Sequence, residues 1–188
     1  MVNRRNFLLT ATAAAAMPLP ALANTQKGSA RLPRKFRPQM VKISSSVPAG
    51  EIHVSLEDDF LYWTLGDGKA MRYGIAVGAP GRNLTGTTYI RRKAKWPSWV
   101  PTREMIQKEP HIYGKWSSGL PGGHEKNPLG ARALYLYRGN RDTLYRIHGT
   151  PQPHTIGRSF SSGCVRLQND HVAQLYDHVP IGTKVVIG

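Results

Sequence analysis

The chain contains one cysteine, Cys164, in the run Ser161-Ser162-Gly163-Cys164-Val165-Arg166-Leu167, and sixteen residues before it His148 stands in Tyr145-Arg146-Ile147-His148-Gly149-Thr150. A single cysteine excludes an internal disulfide and any metal site needing two thiolates. Buried filler, stray thiol and nucleophile remain. A thiol attacks as its thiolate, and a free pKa of about 8.5 leaves little thiolate at neutral pH without a base or a positive field. An imidazole supplies the base and then returns the proton to a leaving amine. The Ser-Ser-Gly turn before Cys164 offers main-chain N–H groups for the charge that develops on a carbonyl oxygen, and Ser162 and Gly163 are candidates for that cradle. Arg166 adds a permanent cation, either to bind a substrate carboxylate or to stiffen the turn. Spacing alone does not decide, because a lone cysteine is most often buried and inert.

The elements that must position these groups are mostly strands. His148 closes an apolar run at 144–147, where a strand end projects a side chain to the sheet rim. Cys164 stands before the one long helical pattern, Val172, Leu175, Tyr176 and Val179, with Asn169 or Asp170 as its cap and Pro180 and Gly182 as its end. Upstream, Ile52, Val54 and Leu56 alternate, residues 60–65 are aromatic and aliphatic, and Gly66-Asp67-Gly68 predicts a hairpin turn before 71–77. Further strands are expected at 87–91, 133–137 and 183–187. Between 94 and 127 lies a stretch rich in Trp, Pro and Gly with one short helical candidate at 102–108, long enough to be functional. Its Trp96, Trp99, Tyr113 and Trp116 either line a groove or pack the loop itself. The fold class expected is mostly β with one or two short helices.

Formal charge is +15, from scarce acids rather than a dense basic array. That implies an anionic environment or partner. No zinc-finger spacing, basic helix or aromatic-basic RNA signature accompanies it, so nucleic acid is not the expected partner. Arg4-Arg5 before Phe7-Leu8-Leu9, an Ala/Thr run and Ala21-Leu22-Ala23 form an export signal over 1–23, resembling the twin-arginine type. Removing it takes away two of 26 basic residues and none of 11 acidic ones. Residues 24–50, rich in Lys, Arg, Ser and Pro, read as a basic arm or linker, with 39–43 able to form an edge strand. Residues 51–188 are expected to form the domain that carries Cys164 and His148, with no membrane span after the signal is removed. The product is expected in the periplasm or envelope.

His154 is a second histidine within sequence reach of Cys164; His148 is preferred for its strand-end geometry. Ser161 and Ser162 lack a nucleophile-elbow setting. His124-Glu125 has no second histidine of a zinc helix, and His171 and His178 are expected to face solvent, so no metal is expected.

Three separated blocks, His148-Gly149-Thr150, Ile156-Gly157-Arg158 and the Ser161 to Leu167 run, resemble the active-site signature of the L,D-transpeptidase catalytic domain, also called YkuD-like. Asn127-Pro128-Leu129-Gly130-Ala131-Arg132-Ala133-Leu134, Trp96-Pro97-Ser98-Trp99, Val77-Gly78 and Pro180-Ile181-Gly182-Thr183-Lys184-Val185-Val186 fit the same pattern. The likeness spans about residues 51–188. It implies a β-sandwich-like fold, a Cys164 nucleophile, a His148 base oriented by the carbonyl of Gly149, and no metal or organic cofactor. It also implies peptidoglycan stem peptides as partners: the acyl group of a tetrapeptide passes through a Cys164 thioester to an amine. With water as acceptor the activity is an L,D-carboxypeptidase, or a hydrolase releasing a wall-linked protein; a wall-linked protein is also a candidate acceptor. From another class, a non-catalytic envelope-binding module is the alternative. Leu84-Thr85-Gly86 stands where the family often has Pro-Thr-Gly, and no wall-binding repeat precedes the domain. If His148 activates the thiol, the Cys164 pKa is expected well below the free value.

Overall fold

The computed structural model describes residues 32–188, so the expected export signal and the start of the arm lie outside the described residues. The chain is mostly β. Strands β1 (Gln39–Lys42), β2 (Ile52–Ser55), β3 (Phe60–Gly66), β4 (Lys69–Gly74), β6 (Gly86–Lys95), β7 (Arg132–Arg138), β8 (Arg141–His148), β10 (Val165–Arg166) and β11 (Lys184–Ile187) form one sheet in the order β1-β4-β3-β2-β11-β6-β7-β8-β10. Strands β5 (Val77–Gly78) and β9 (Ser159–Ser161) make a second, parallel pair. Among the described residues, three α-helices, α1 (Arg103–Lys108), α2 (Pro110–Tyr113) and α3 (Asn169–His178), complete the regular structure with short 3-10 turns.

Local chemistry accounts for most of these elements. Asp67 and Gly68 both adopt positive φ (51° and 65°), the left-handed pair that a two-residue turn between β3 and β4 requires. Residues 39–42 do form an edge strand, paired antiparallel to β4. β11 is inserted mid-sheet, with Val185 opposite Ile52 of β2 in parallel and opposite Thr88 of β6 antiparallel. Apolar residues of β2 to β4, β6 to β8 and β11 join Val172 and Leu175 of α3, and Val179 just after it, in one core. Fully burying each such aliphatic side chain contributes roughly 1.5–3 kcal/mol. Lys93 holds the far end of α3: its Nζ donates to the carbonyls of Tyr176 (2.5 Å) and Val179 (2.6 Å), where the helix dipole favours a cation.

A smaller cluster of Leu32, Phe36, Ala76 and Ile156 fastens the segment before β1 to the loop that leads to Cys164. Gly157 makes that contact feasible. Its φ is +82°, and a Cβ there would lie 2.2 Å from the Phe36 ring.

Two helix details differ from expectation. The cap position of α3 is Gln168, without a side-chain cap. The Asn169 side chain instead accepts the amide of Ala131 (2.9 Å), so it ties the helix start to β7. His171 does not face solvent: it is partly buried beside Tyr73, their ring centroids 6.4 Å apart. His178 is exposed as expected. Helix α1 is capped by Thr102, whose hydroxyl accepts the Met105 amide at 3.1 Å. The loop from 96 to 131 also holds α2, which the sequence pattern had not marked.

Candidate active site

His148 is the last residue of β8 and Cys164 the residue before β10. Those strands pair in parallel, Val165 opposite Ile147 and Arg166 opposite His148. One step back in the same register puts Cys164 opposite Arg146. Partner residues share a sheet face and alternate residues return to it. Cys164, Arg166, His148 and Arg146 therefore all point to one face, the one away from Ile147, Val165 and the main core.

Cys164 thus precedes a short strand rather than the helix expected after it. Residues 165–167 are drawn into the sheet from both sides. The Leu167 amide donates to His148 O (2.8 Å), while Ala76 and Arg166 exchange main-chain bonds of 2.9 and 2.8 Å. Gly163 is required just before the thiol. At φ +120°, a Cβ would meet Arg82 O at 2.2 Å and the Tyr145 ring at 2.5 Å. Gly78 lies against it and is itself clamped by Asn83, whose Oδ1 accepts the Gly78 amide (2.7 Å) and whose Nδ2 donates to the Gly78 carbonyl (3.1 Å).

The imidazole of His148 is 3% exposed, and its Nδ1 lies 2.6 Å from Gly149 O. A carbonyl can only accept, so Nδ1 carries the proton and Nε2 keeps the lone pair. Burial, with the charges of Arg166 and Arg146, pushes the ring's pKa down to about 3 against the pull of main-chain bonds at Gly149 and Pro128. Burial also pushes the Cys164 thiol up, while a main-chain bond from Arg146 and the charges of Arg146 and Arg166 act the other way. The thiol pKa expected from sequence is therefore reversed in the resting protein. Burial penalises the thiolate and the imidazolium alike, and the pair rests neutral.

The 96–131 loop closes over this face. Tyr113 Oη and Ser162 Oγ are 3.0 Å apart, and Arg82 reaches Glu109 (3.4 Å). Asn127, 2% exposed, staples the loop: its Nδ2 donates to the carbonyls of Pro97 (2.8 Å) and Pro121 (3.0 Å), and its Oδ1 accepts the Leu129 amide (2.9 Å). Of the loop aromatics, Trp99 packs on Tyr113 and Trp116 on His124, with ring centroids 6.2 and 6.3 Å apart, while Trp96 is 54% exposed. The packing reading thus holds for Trp99, Tyr113 and Trp116. His154 is exposed on a 3-10 turn at Pro153–Thr155, outside the strands that carry His148 and Arg166.

Sequence reading missed the roles of Arg146 and of the Asn127 staple, and marked Tyr113 only as a loop aromatic, without its contact to Ser162. Asn127-Pro128 was visible only as part of a motif. Nothing in the spacing of Tyr113 and Ser162, 49 residues apart, announces their contact.

Comparison with known proteins agrees with this architecture. The model of the L,D-transpeptidase catalytic domain matches residues 49–187. The probable L,D-transpeptidase ErfK/SrfK of Salmonella typhimurium is 34% identical over 152 residues, 80% of this chain and 47% of that protein. The putative L,D-transpeptidase YkuD of Bacillus subtilis is 33% identical over 125 residues, 65% of this chain and 70% of that protein. The chain spans about half the length of the first of these relatives. Among solved structures, one from Brucella melitensis, described as a probable carnitine operon oxidoreductase, is 47% identical, covers 84% of this chain and 96% of its own, and has a TM-score of 0.57. An L,D-transpeptidase from Mycobacterium smegmatis is 18% identical over 73% of this chain and 57% of its own at a TM-score of 0.53, a likeness of fold alone. With a family match over residues 49–187 and a mostly β fold to carry it, the chain belongs to the L,D-transpeptidase catalytic domain family.

Proposed function

We propose that the chain is an exported cysteine acyltransferase acting on peptidoglycan stem tetrapeptides. Cys164 Sγ attacks the carbonyl between the diaminopimelate-type third residue and the terminal D-alanine while His148 Nε2 takes the thiol proton. The carbon–nitrogen bond then breaks, the imidazolium gives its proton to the amine of D-alanine, and a thioester remains. An acceptor amine attacks the thioester, His148 removes the amine's proton, and the thiol is restored. Because the pair rests neutral, proton transfer accompanies attack rather than preceding it.

The observation that supports this reading best is the commitment of His148 Nδ1 to Gly149 O at 2.6 Å, which leaves Nε2 as the base on the face shared with Cys164. Main-chain amides of the turn at Ser162 and Gly163 stabilise the oxyanion in this scheme, and Arg166 favours negative charge beside the thiol. Gly149 serves through its carbonyl, in the role a carboxylate plays in other triads. Export rests on residues 1–23. Among the described residues, no helix is long and apolar enough to cross a membrane.

The test is incubation of the protein lacking residues 1–23 with purified tetrapeptide muropeptides, products identified by mass. Cross-linked dimers support transpeptidation, and released tripeptide moves the assignment to a carboxypeptidase. Cys164→Ala should abolish either product while melting cooperatively; a Cys164→Ala variant that keeps its rate removes the mechanism.

A further inference from the structure

β8 contains a bulge next to the site. Tyr135 of β7 faces Arg146, but Tyr137 faces Asp142, so one residue of β7 opposes three of β8. The extra residues loop out at Leu144, whose φ is +64° and whose side chain is 61% exposed. Side chains close the loop. Asp142 Oδ1 accepts the Leu144 amide (2.8 Å), Thr143 Oγ1 accepts the Tyr145 amide (3.2 Å), and the Thr143 hydroxyl donates to Leu136 O (2.6 Å).

The loop-out changes which side chains meet. Residues four apart on a regular strand lie about 13 Å apart at roughly 3.3 Å per residue. Here Arg146 and Asp142 form a two-pronged ion pair, Nη1 to Oδ1 at 2.7 Å and Nη2 to Oδ2 at 2.9 Å. Nη1 also donates to Tyr145 O (2.9 Å), and the guanidinium lies 4.2 Å from the centre of the Tyr135 ring. Arg92 of β6, register partner of Tyr135 on its other side, lies 4.2 Å from the same ring. The Arg146 side chain is 13% exposed and held by every contact it makes. Bulges beside active sites often re-aim a group in this way.

We propose that the Asp142–Arg146 clamp is a positioning device for the nucleophile: it fixes β8 so that the Arg146 main-chain N–H is aimed at Cys164 Sγ, and it anchors a cation beside the sulfur as charge develops there. Asp142 is the acid closest in sequence to His148, but it orients the strand residue facing the thiol rather than the imidazole. Charged and titratable groups around the thiol are Arg146 and His148 from β8, Arg166 from β10, and Tyr113 of α2 beside Arg166. Arg146 is thus a positioning residue through its side chain and touches the reacting atom through its amide.

The proposal rests on the transpeptidase reading for its kinetic arm, so the first measurement is independent of that reading. The protein lacking residues 1–23 is alkylated with iodoacetamide across pH, and the single thiol reports its own titration. Arg146→Met, which removes the charge, should raise the apparent thiol pKa and slow alkylation at neutral pH about tenfold, the effect of one pKa unit. Arg146→Lys should keep the pKa near the wild-type value. With tetrapeptide muropeptides, Asp142→Asn and Arg146→Lys should lower the acylation rate several-fold with little change in KM, and Asp142→Glu should recover most of the loss. A folded Arg146→Met with an unchanged alkylation profile overturns the electrostatic part. If Arg146→Met does not fold, Arg146→Gln serves the same comparison. Wild-type acylation in both Asp142→Asn and Arg146→Lys overturns the positioning part. Absence of acylation by the wild type, with the alkylation shifts intact, refutes the transpeptidase reading and leaves the clamp standing.

Discussion

Tyr113 Oη and Ser162 Oγ, 49 residues apart in sequence, meet at 3.0 Å and join the loop over the site to the turn that carries Cys164. The Tyr113 ring also packs against Trp99, so the hydroxyl is the polar tip of an otherwise apolar contact.

Tyr113→Phe keeps that ring packing and removes the bridge. A neutral hydrogen bond contributes about 0.5–1.5 kcal/mol, so acylation efficiency should fall roughly twofold to tenfold with a melting temperature close to wild type. Steady-state kinetics and a thermal melt check both halves. Wild-type kinetics in Tyr113→Phe would mean that the contact does not hold the closed loop.

His148→Gln separates two ways of activating a thiol. The resting imidazole is neutral, its pKa held at about 3, so it lends Cys164 no charge. Removing it should leave the alkylation pKa of Cys164 nearly unchanged, while acylation falls by at least the 10²–10⁴-fold typical of a lost general base. A preformed ion pair predicts the contrary, a large upward move in the alkylation pKa of His148→Gln. Titrating wild type and His148→Gln with iodoacetamide distinguishes them.

The same buried ring makes stability depend on pH. His148 titrates near 6.5 when unfolded and near 3 when folded, so below about pH 6.5 the unfolded chain binds a proton that the folded one refuses. Stability from this source is intact above that pH and is lost as pH falls toward 3. Each pH unit inside the window removes up to about 1.4 kcal/mol. Thermal melts from pH 7 to 4 should fall more steeply for wild type than for His148→Gln. Parallel curves would sink the assignment of a buried neutral imidazole.

Asn127→Ala removes three hydrogen bonds from a side chain that is 2% exposed. The Pro97 and Pro121 carbonyls and the Leu129 amide lose their partner. Unsatisfied buried groups cost about 1–3 kcal/mol each, less where water enters, so a loss of roughly 2–4 kcal/mol is expected. Urea unfolding measures it. Activity should fall as well, because the staple holds the loop that lies over the site.

What could be read from sequence were features whose cause is local. Asp67-Gly68 dictates its own turn, Val172, Leu175 and Val179 repeat at helical spacing, and Thr102 caps the helix it precedes. Cys164 and His148 stood out as candidates because few residue types do such chemistry. Their surroundings did not. The short strand after Cys164 exists because His148 O and Ala76 offer main-chain partners, and neither is near it in sequence. The reversed pKa directions come from burial under a distant loop. The Asp142–Arg146 pair was hidden because four-residue spacing in a strand ordinarily means separation, and only the outlooped Leu144 cancels it.

The placement of β11 bears on how the molecule comes together. It joins β2 on one side and β6 on the other, so the sheet half that begins at β1 and the half that ends at β10 meet across Lys184–Ile187. Those residues are the latest strand in chain order. During synthesis both halves emerge before the seam between them can form, and until it does each leaves an unpaired strand edge, at β2 and at β6, open to wrong partners. Sheet closure thus waits until every other described strand has been made, and a nascent chain halted before residue 184 would consist of two unjoined sheet fragments rather than a smaller version of the enzyme.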